Sequence, residues 1–158
     1  MDTREYERLL NLYLDSVYRV ALSGCRNSAD AEDVVQDTFI KLWERQELFE
    51  DEEHARKWLI RVASNLCHSL WRTSWRKRTV YLEEMTTAPA FSMPERSELY
   101  YAVMGLSVKY RQVVYLYYFE EYSVKEIAKL VKLSETAVQT RLLRARQKLK
   151  EALKEAWK

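Results

Sequence analysis

Glycine and proline are nearly missing from this chain, two of each in 158 residues. With 47% hydrophobic and 32% charged side chains, that scarcity is the composition of an all-helical protein. No apolar run approaches the roughly 20 residues that a membrane-spanning helix needs. The N-terminus lacks the basic and apolar blocks of a secretory signal peptide, so the expected location is the cytoplasm. Cys25 and Cys67 belong to no C-x-x-C pair. They read as buried, reduced thiols of an intracellular protein, neither zinc ligands nor a disulfide. His54 and His68 are the two histidines, and no nucleophile–base pair, metal-ligand set or glycine-rich phosphate loop is present. No enzyme activity, metal or cofactor is therefore expected.

What is there is unevenly distributed charge. Residues 1–85 carry 13 basic and 16 acidic side chains, whereas residues 86–158 carry 13 basic and 8 acidic. An acidic front and a basic rear imply different partners. The length suffices for one ordinary domain or two small ones. Residues 79–97 break the helical rhythm with Pro89, Pro94 and a run of small polar residues. The fold expected is all-α: two small helical domains, 1–80 and 98–158, joined by a flexible linker over 81–97, the second containing a helix-turn-helix. Domains so joined would move independently unless bound, and a protease would cut between Val80 and Glu95.

The stretch from Ser123 to Leu153 organises the rear half. Ser123 and Glu126 form an S-x-x-E capping box ahead of a helix over Val124–Val131, with Tyr122 and Ile127 placed as its hydrophobic staple. Ser134 caps a second helix that starts near Glu135. Two capped helices joined by so short a turn form the helix-turn-helix pattern. Val138, Leu142, Ala145, Leu149 and Ala152 make the stripe of the second helix that needs a core. Thr136, Gln139, Thr140, Leu143, Arg144 and Gln147 make another, whose groups can read base edges in a major groove. Arg141, Arg146, Lys148 and Lys150 flank it and suit phosphates. A solvated amphipathic helix is the plainer alternative; the capped partner helix favours DNA. Upstream, a short helix holds Leu99, Tyr100 and Val103 to Leu106, and Ser107 caps the next. The dense tyrosines there are read as core packing.

Three helices are expected in the front half. The first starts at Asp2 or Thr3, carries Tyr6, Leu9, Leu10, Tyr13, Leu14, Val17, Tyr18 and Ala21 at helical spacing, and stops at Gly24. The second, from Ala29 to about Arg45, turns Ala31, Val34, Val35, Thr38, Phe39, Leu42 and Trp43 to the core. Asp33, Gln36, Asp37, Ile40 and Glu44 lie together on its other side. An acidic face is commonly just solvated, but Ile40 in its midst suits a docked partner, and a basic protein helix is the complement. The third runs from the acidic residues Asp51 to Glu53 to about Arg72, with a core side of Ala55, Trp58, Leu59, Val62, Ala63, Leu66 and Leu70. Lys57, Arg61, Ser64, Asn65, His68 and Arg72 form the opposite stripe, leading into the loop Thr73, Ser74, Trp75, Arg76, Lys77, Arg78. Cations, an amide and an indole so placed suit single-stranded nucleic acid, although each residue singly has a packing or surface explanation.

Together these segments resemble bacterial RNA polymerase sigma factors of the extracytoplasmic-function (ECF) type. The resemblance rests on DAEDVVQDTFIKLW from Asp30 to Trp43, WLIRVASN from Trp58 to Asn65 with Arg72 following, and the run from Tyr110 through SVKEIA at Ser123 to Leu149. It implies a factor that binds core RNA polymerase, directs promoter-specific initiation and opens the minus-ten region. Asp33, Gln36, Asp37 and Ile40 would meet the polymerase. Lys57, Arg61, Asn65, His68, Arg72, Ser74, Trp75, Arg76 and Lys77 would hold the minus-ten element, where an extruded base needs a pocket. Thr136, Gln139, Thr140, Arg141, Leu143, Arg144, Arg146 and Lys148 would face the minus-thirty-five element. Core polymerase, promoter DNA and an anti-sigma protein are the partners implied; no stable homo-oligomer is expected. Ser107 stands where many relatives carry proline, His68 where an aspartate is often seen, and Lys132 where many carry glycine in the turn of the helix-turn-helix. The alternative is a helix-turn-helix regulator whose front domain does not touch polymerase.

Overall fold

The computed structural model describes residues 1–74 and 98–156, with side chains placed for 1–70 and 98–154. The linker at 81–97 and its protease-sensitive stretch lie outside the described residues, as do Trp75, Arg76 and Lys77. Among the described residues there is no strand, and the α-helices are α1 (Thr3–Gly24), α2 (Ser28–Glu44), α3 (Glu52–Ser74), α4 (Glu98–Met104), α5 (Val108–Val114), α6 (Val124–Val131) and α7 (Glu135–Ala156). None is long and apolar enough to cross a membrane.

Local chemistry sets most of the ends. The Asp2 carboxylate accepts from Arg4 N at the start of α1, the Asn27 amide from Asp30 N at the start of α2, and Asp51 from His54 N near the start of α3. Gly24 ends α1 for a different reason from the one expected. It has no positive φ; a Cβ on it would lie 2.9 Å from Gln112 Nε2 and 3.1 Å from Cys67 Sγ, so the position needs a missing side chain, not a left-handed turn. Ser107 sits at the head of α5, but its side chain makes no capping bond.

In the rear half, α5 runs on into a π-helical turn over Tyr115–Phe119, where the Tyr115 and Phe119 rings stack with centroids 5.2 Å apart. The helix-turn-helix follows. Its capping box is complete, Ser123 accepting from Glu126 N and Glu126 from Ser123 N. The Ser134 hydroxyl accepts from Ala137 N. Val138, Leu142, Ala145 and Leu149 are buried as expected, while Ala152 is exposed. Lys132 holds the turn at φ 59° and ψ 48°, the left-handed region, with its N–H bonded to Ala128 O. A non-glycine residue loses about 1 kcal/mol there. Lys132→Gly should therefore stabilise the fold by roughly 0.5–1 kcal/mol, read as a higher urea midpoint at unchanged m-value.

The front and rear helices pack against each other, which independent domains joined by a loose tether do not foresee. α5 lies on the end of α1, and α6 lies against α3. This explains why Val20 to Cys25 are all buried although α1 shows a one-sided pattern: the front core covers one side of the segment and α5 the other.

The seam is polar. Arg111 is 4% exposed, and its guanidinium donates to Ser23 O (3.3 Å), to Cys25 O and to Met104 O (3.0 Å). Arg56 binds Glu120 through both the carboxylate and the backbone carbonyl, each at 2.9 Å. Lys57 Nζ lies 3.5 Å from Glu126 Oε2. Burial pushes the Glu120 carboxyl above its ordinary range, with Arg56 pulling the other way. The folded chain thus binds a proton at Glu120 more readily than the unfolded chain. The cost of burying that charge is present in full above the folded pKa and is relieved as pH falls through it. Glu120→Gln should flatten this part of the stability–pH curve on the acid side of neutrality, as followed by urea melts.

Candidate functional site

Three surfaces carry the sequence-predicted residues. On α2 the buried side is Ala31, Val34, Val35, Thr38, Phe39 and Leu42. That packing turns Asp33, Gln36 and Asp37 outward, with Ile40 53% exposed in the same stripe. Among the described residues no cation pairs with Asp33 or Asp37. Trp43, expected in the core, is instead 48% exposed, with its edge on the Tyr6 ring at 5.1 Å between centroids. It lies one turn beyond Ile40 and extends the apolar part of that surface. Its place three residues after Ile40 was the available signal, masked by its equal fit to the core stripe.

On α3, Lys57, Arg61 and Asn65 are exposed and share one side. His68 is half-buried and lines a cleft facing Lys109, Gln112 and Lys132 of the rear half. Ser64 departs from the expected stripe: it is 1% exposed, and Ile60 and Cys67 join the core beside it. The reason is again α6, which covers a flank that a free front domain would leave in water. Arg72 and Ser74 lie in the last turn of α3, where side chains are not described. Lys57, the first of the group, is engaged by Glu126 across the seam.

On α7, Thr136, Gln139, Leu143, Arg144 and Lys148 are exposed, and Leu143 is 56% exposed. Thr140 and Arg141 are half-buried, and the Thr140 hydroxyl donates to Thr136 O within the helix. Arg141, Arg144 and Lys148 have no carboxylate partner among the described residues. Burial lowers the Arg141 guanidinium below its ordinary value. Burial raises the Tyr110 phenol, but Lys109 and Arg144 more than offset this and leave it lowered. The Tyr110 shift marks a surface rich in positive charge, whereas the Arg141 shift reports burial. Arg146 is set apart from the group: its Nε donates to Tyr118 Oη at 2.6 Å, and it rims an apolar groove with Leu99 and Phe119.

The residues of the seam were the ones sequence reasoning missed. Arg111 carried a readable signal, because it shares a helix face with Val108, Val114 and Tyr115 and so interrupts an apolar stripe. Arg56 and Glu120 carried none, being 64 residues apart in ordinary polar positions.

The sequence and the fold have known counterparts. The Sigma-70 region 2 family model matches residues 9–77, and the Sigma-70 region 4 model matches residues 96–149. The ECF RNA polymerase sigma factor SigL of Mycobacterium tuberculosis is 30% identical over 147 residues, covering 88% of this chain and 83% of SigL. The chain belongs to the ECF sigma factors. SigM of Bacillus subtilis, another ECF sigma factor, is 27% identical over 151 residues, covering 91% of this chain and 92% of its own. Among solved structures, CnrH in complex with the cytosolic domain of CnrY is similar with a TM-score of 0.60 at 26% identity, over 98% of this chain and 90% of CnrH. The sigma factor RpoE of Bartonella quintana, in complex with the anti-sigma factor NepR, shares the fold with a TM-score of 0.69 at 24% identity, over 96% and 98%. As an ECF sigma factor the chain directs promoter-specific transcription, and a regulator whose front half ignores polymerase is not favoured.

Proposed function

We propose the following division of labour for this ECF sigma factor. Residues 1–80 form the region 2 unit and 98–158 the region 4 unit, with 81–97 between them. Asp33, Gln36, Asp37 and Ile40 dock on a basic helical surface of core polymerase, and Trp43 widens the apolar part of the contact. Lys57, Arg61, Asn65 and His68, with the segment from Arg72 to Lys77, hold the minus-ten strand as it opens. Thr136, Gln139, Leu143 and Arg144 read the minus-thirty-five element in the major groove, while Arg141 and Lys148 sit on phosphates. Arg146 is the weakest of the assignments, since its guanidinium is committed to Tyr118. The factor works in the cytoplasm beside polymerase and has no chemistry of its own.

The observation that carries this reading is the exposed row of Asp33, Gln36, Asp37 and Ile40, left without a cation by a helix whose other side is fully packed. A protein that buries α2 so well has no internal use for that row. Lys57 lies against Glu126 in the packed arrangement, so parting of the seam would free it for the promoter. An anti-sigma protein that favours the packed form would act as an inhibitor. The two solved complexes of similar fold motivate that partner.

The test is reconstitution. Purified chain mixed with core polymerase and genomic DNA should give promoter-dependent transcripts. Gln139→Ala and Arg144→Ala should each weaken binding to the mapped minus-thirty-five sequence by about 1–3 kcal/mol and relax specificity at one base. No complex and no transcript would sink the reading.

A further inference from the structure

Cys25 follows the last turn of α1 and Cys67 lies within α3, 42 residues on, yet their sulfurs are 3.5 Å apart. Both are free thiols, 3% and 1% exposed. A disulfide has sulfurs about 2.05 Å apart, so roughly 1.5 Å of approach separates this pair from a bond. No motif in the sequence places these two thiols together.

What lies over them belongs to the rear half. Gly24, next to Cys25, is pinched between Cys67 and the Gln112 side chain of α5. The Arg111 guanidinium, also from α5, donates to the carbonyls of Ser23 and Cys25. The pair is thus roofed by the contact that joins the two halves. Beneath that roof, contact with Cys67, then burial, pushes the Cys25 thiol far up, away from the reactive thiolate.

We propose that Cys25 and Cys67 are an oxidisable dithiol whose access the rear helices control. Parting α5 from the end of α1 uncovers the pair, and hydrogen peroxide then converts it to an intramolecular disulfide. In the first step one thiolate attacks a peroxide oxygen, the O–O bond breaks, and the products are a sulfenic acid and, with the thiol's proton, water. In the second, the other sulfur displaces the sulfenic oxygen, the S–S bond forms, and the remaining proton leaves with that oxygen as a second water. Two thiols are oxidised, and one peroxide is reduced to two waters.

Thiol chemistry is the readout, so success or failure here is separate from polymerase and promoter binding. The full chain is treated with hydrogen peroxide, quenched, unfolded, alkylated with a maleimide and weighed intact. The wild type should slowly become refractory to alkylation at both cysteines, and a reductant should restore them. Cys25→Ser and Cys67→Ser should give no intramolecular bond. Arg56→Ala, which removes a seam contact remote from the sulfurs, should speed the reaction by about tenfold, in keeping with the loss of one charge-assisted bond. Glu120→Ala approaches the same contact from the other side, and thermal melts establish that each variant is folded. Cysteines that stay alkylatable in wild type and variants, under conditions that oxidise the unfolded chain, overturn the proposal. Equal rates in wild type and folded variants overturn the control by the seam.

Discussion

Replacing Asp33 and Asp37 together by lysine should lower the affinity of the chain for core polymerase by roughly a hundredfold or more, because charges that attracted a basic helix would then repel it. The fold should not notice. Both carboxylates are exposed, and neither takes part in an ion pair or helix cap among the described residues. Melting temperature and helical content should match wild type, and isolated minus-thirty-five DNA should still bind through α7. Ile40→Ala separates the apolar part: it should weaken binding less and leave the salt dependence unchanged, since it removes no charge. Surface plasmon resonance against immobilised core enzyme at two salt concentrations measures both. Undiminished affinity in the double reversal would remove the reason for assigning this surface to polymerase.

The second large effect concerns the seam. Arg111→Met should destabilise the packed chain by about 3 kcal/mol, since carbonyls of Ser23, Cys25 and Met104 lose a buried donor. For a chain of this size that is a fall of about 9 °C in melting temperature. Burial already lowers the guanidinium to about 10, so the charge itself is not what stabilises the site. The benefit lies in planar donors spread over several acceptors, which an ammonium cannot reproduce. Arg111→Lys should therefore recover only part of the loss. Small-angle scattering should show a larger radius of gyration for Arg111→Met if the halves separate before they unfold. A methionine variant as stable and as compact as wild type would show that the halves are held elsewhere.

Much of this was readable in one dimension because it depends on near neighbours. The Ser123–Glu126 box and the Ser134 cap are pairs within three residues, and each formed. The outward row on α2 followed from a helical repeat with one packed side, and it is exposed residue for residue. Lys132 stands where many relatives carry glycine, and its backbone is left-handed. What misled was the assumption that each half has one buried side. Trp43 fitted the core stripe and lies at the surface; Ser64 fitted the exposed stripe and is buried.

Order along the chain by itself determined that this protein is helical, where its helices begin, which family it resembles and which row of α2 side chains stays exposed. The helices and their ends follow from periodicity and capping, whose range is one helical turn; the family follows from motifs that stand in order along the chain. Tertiary structure decided that the halves close on each other, that Arg111, Arg56 and Lys57 join them, and that Cys25 and Cys67 meet. Those contacts link residues from 42 to 88 positions apart. No local rule relates such residues, and only packing, which buries one helix on two sides at once, brings them together.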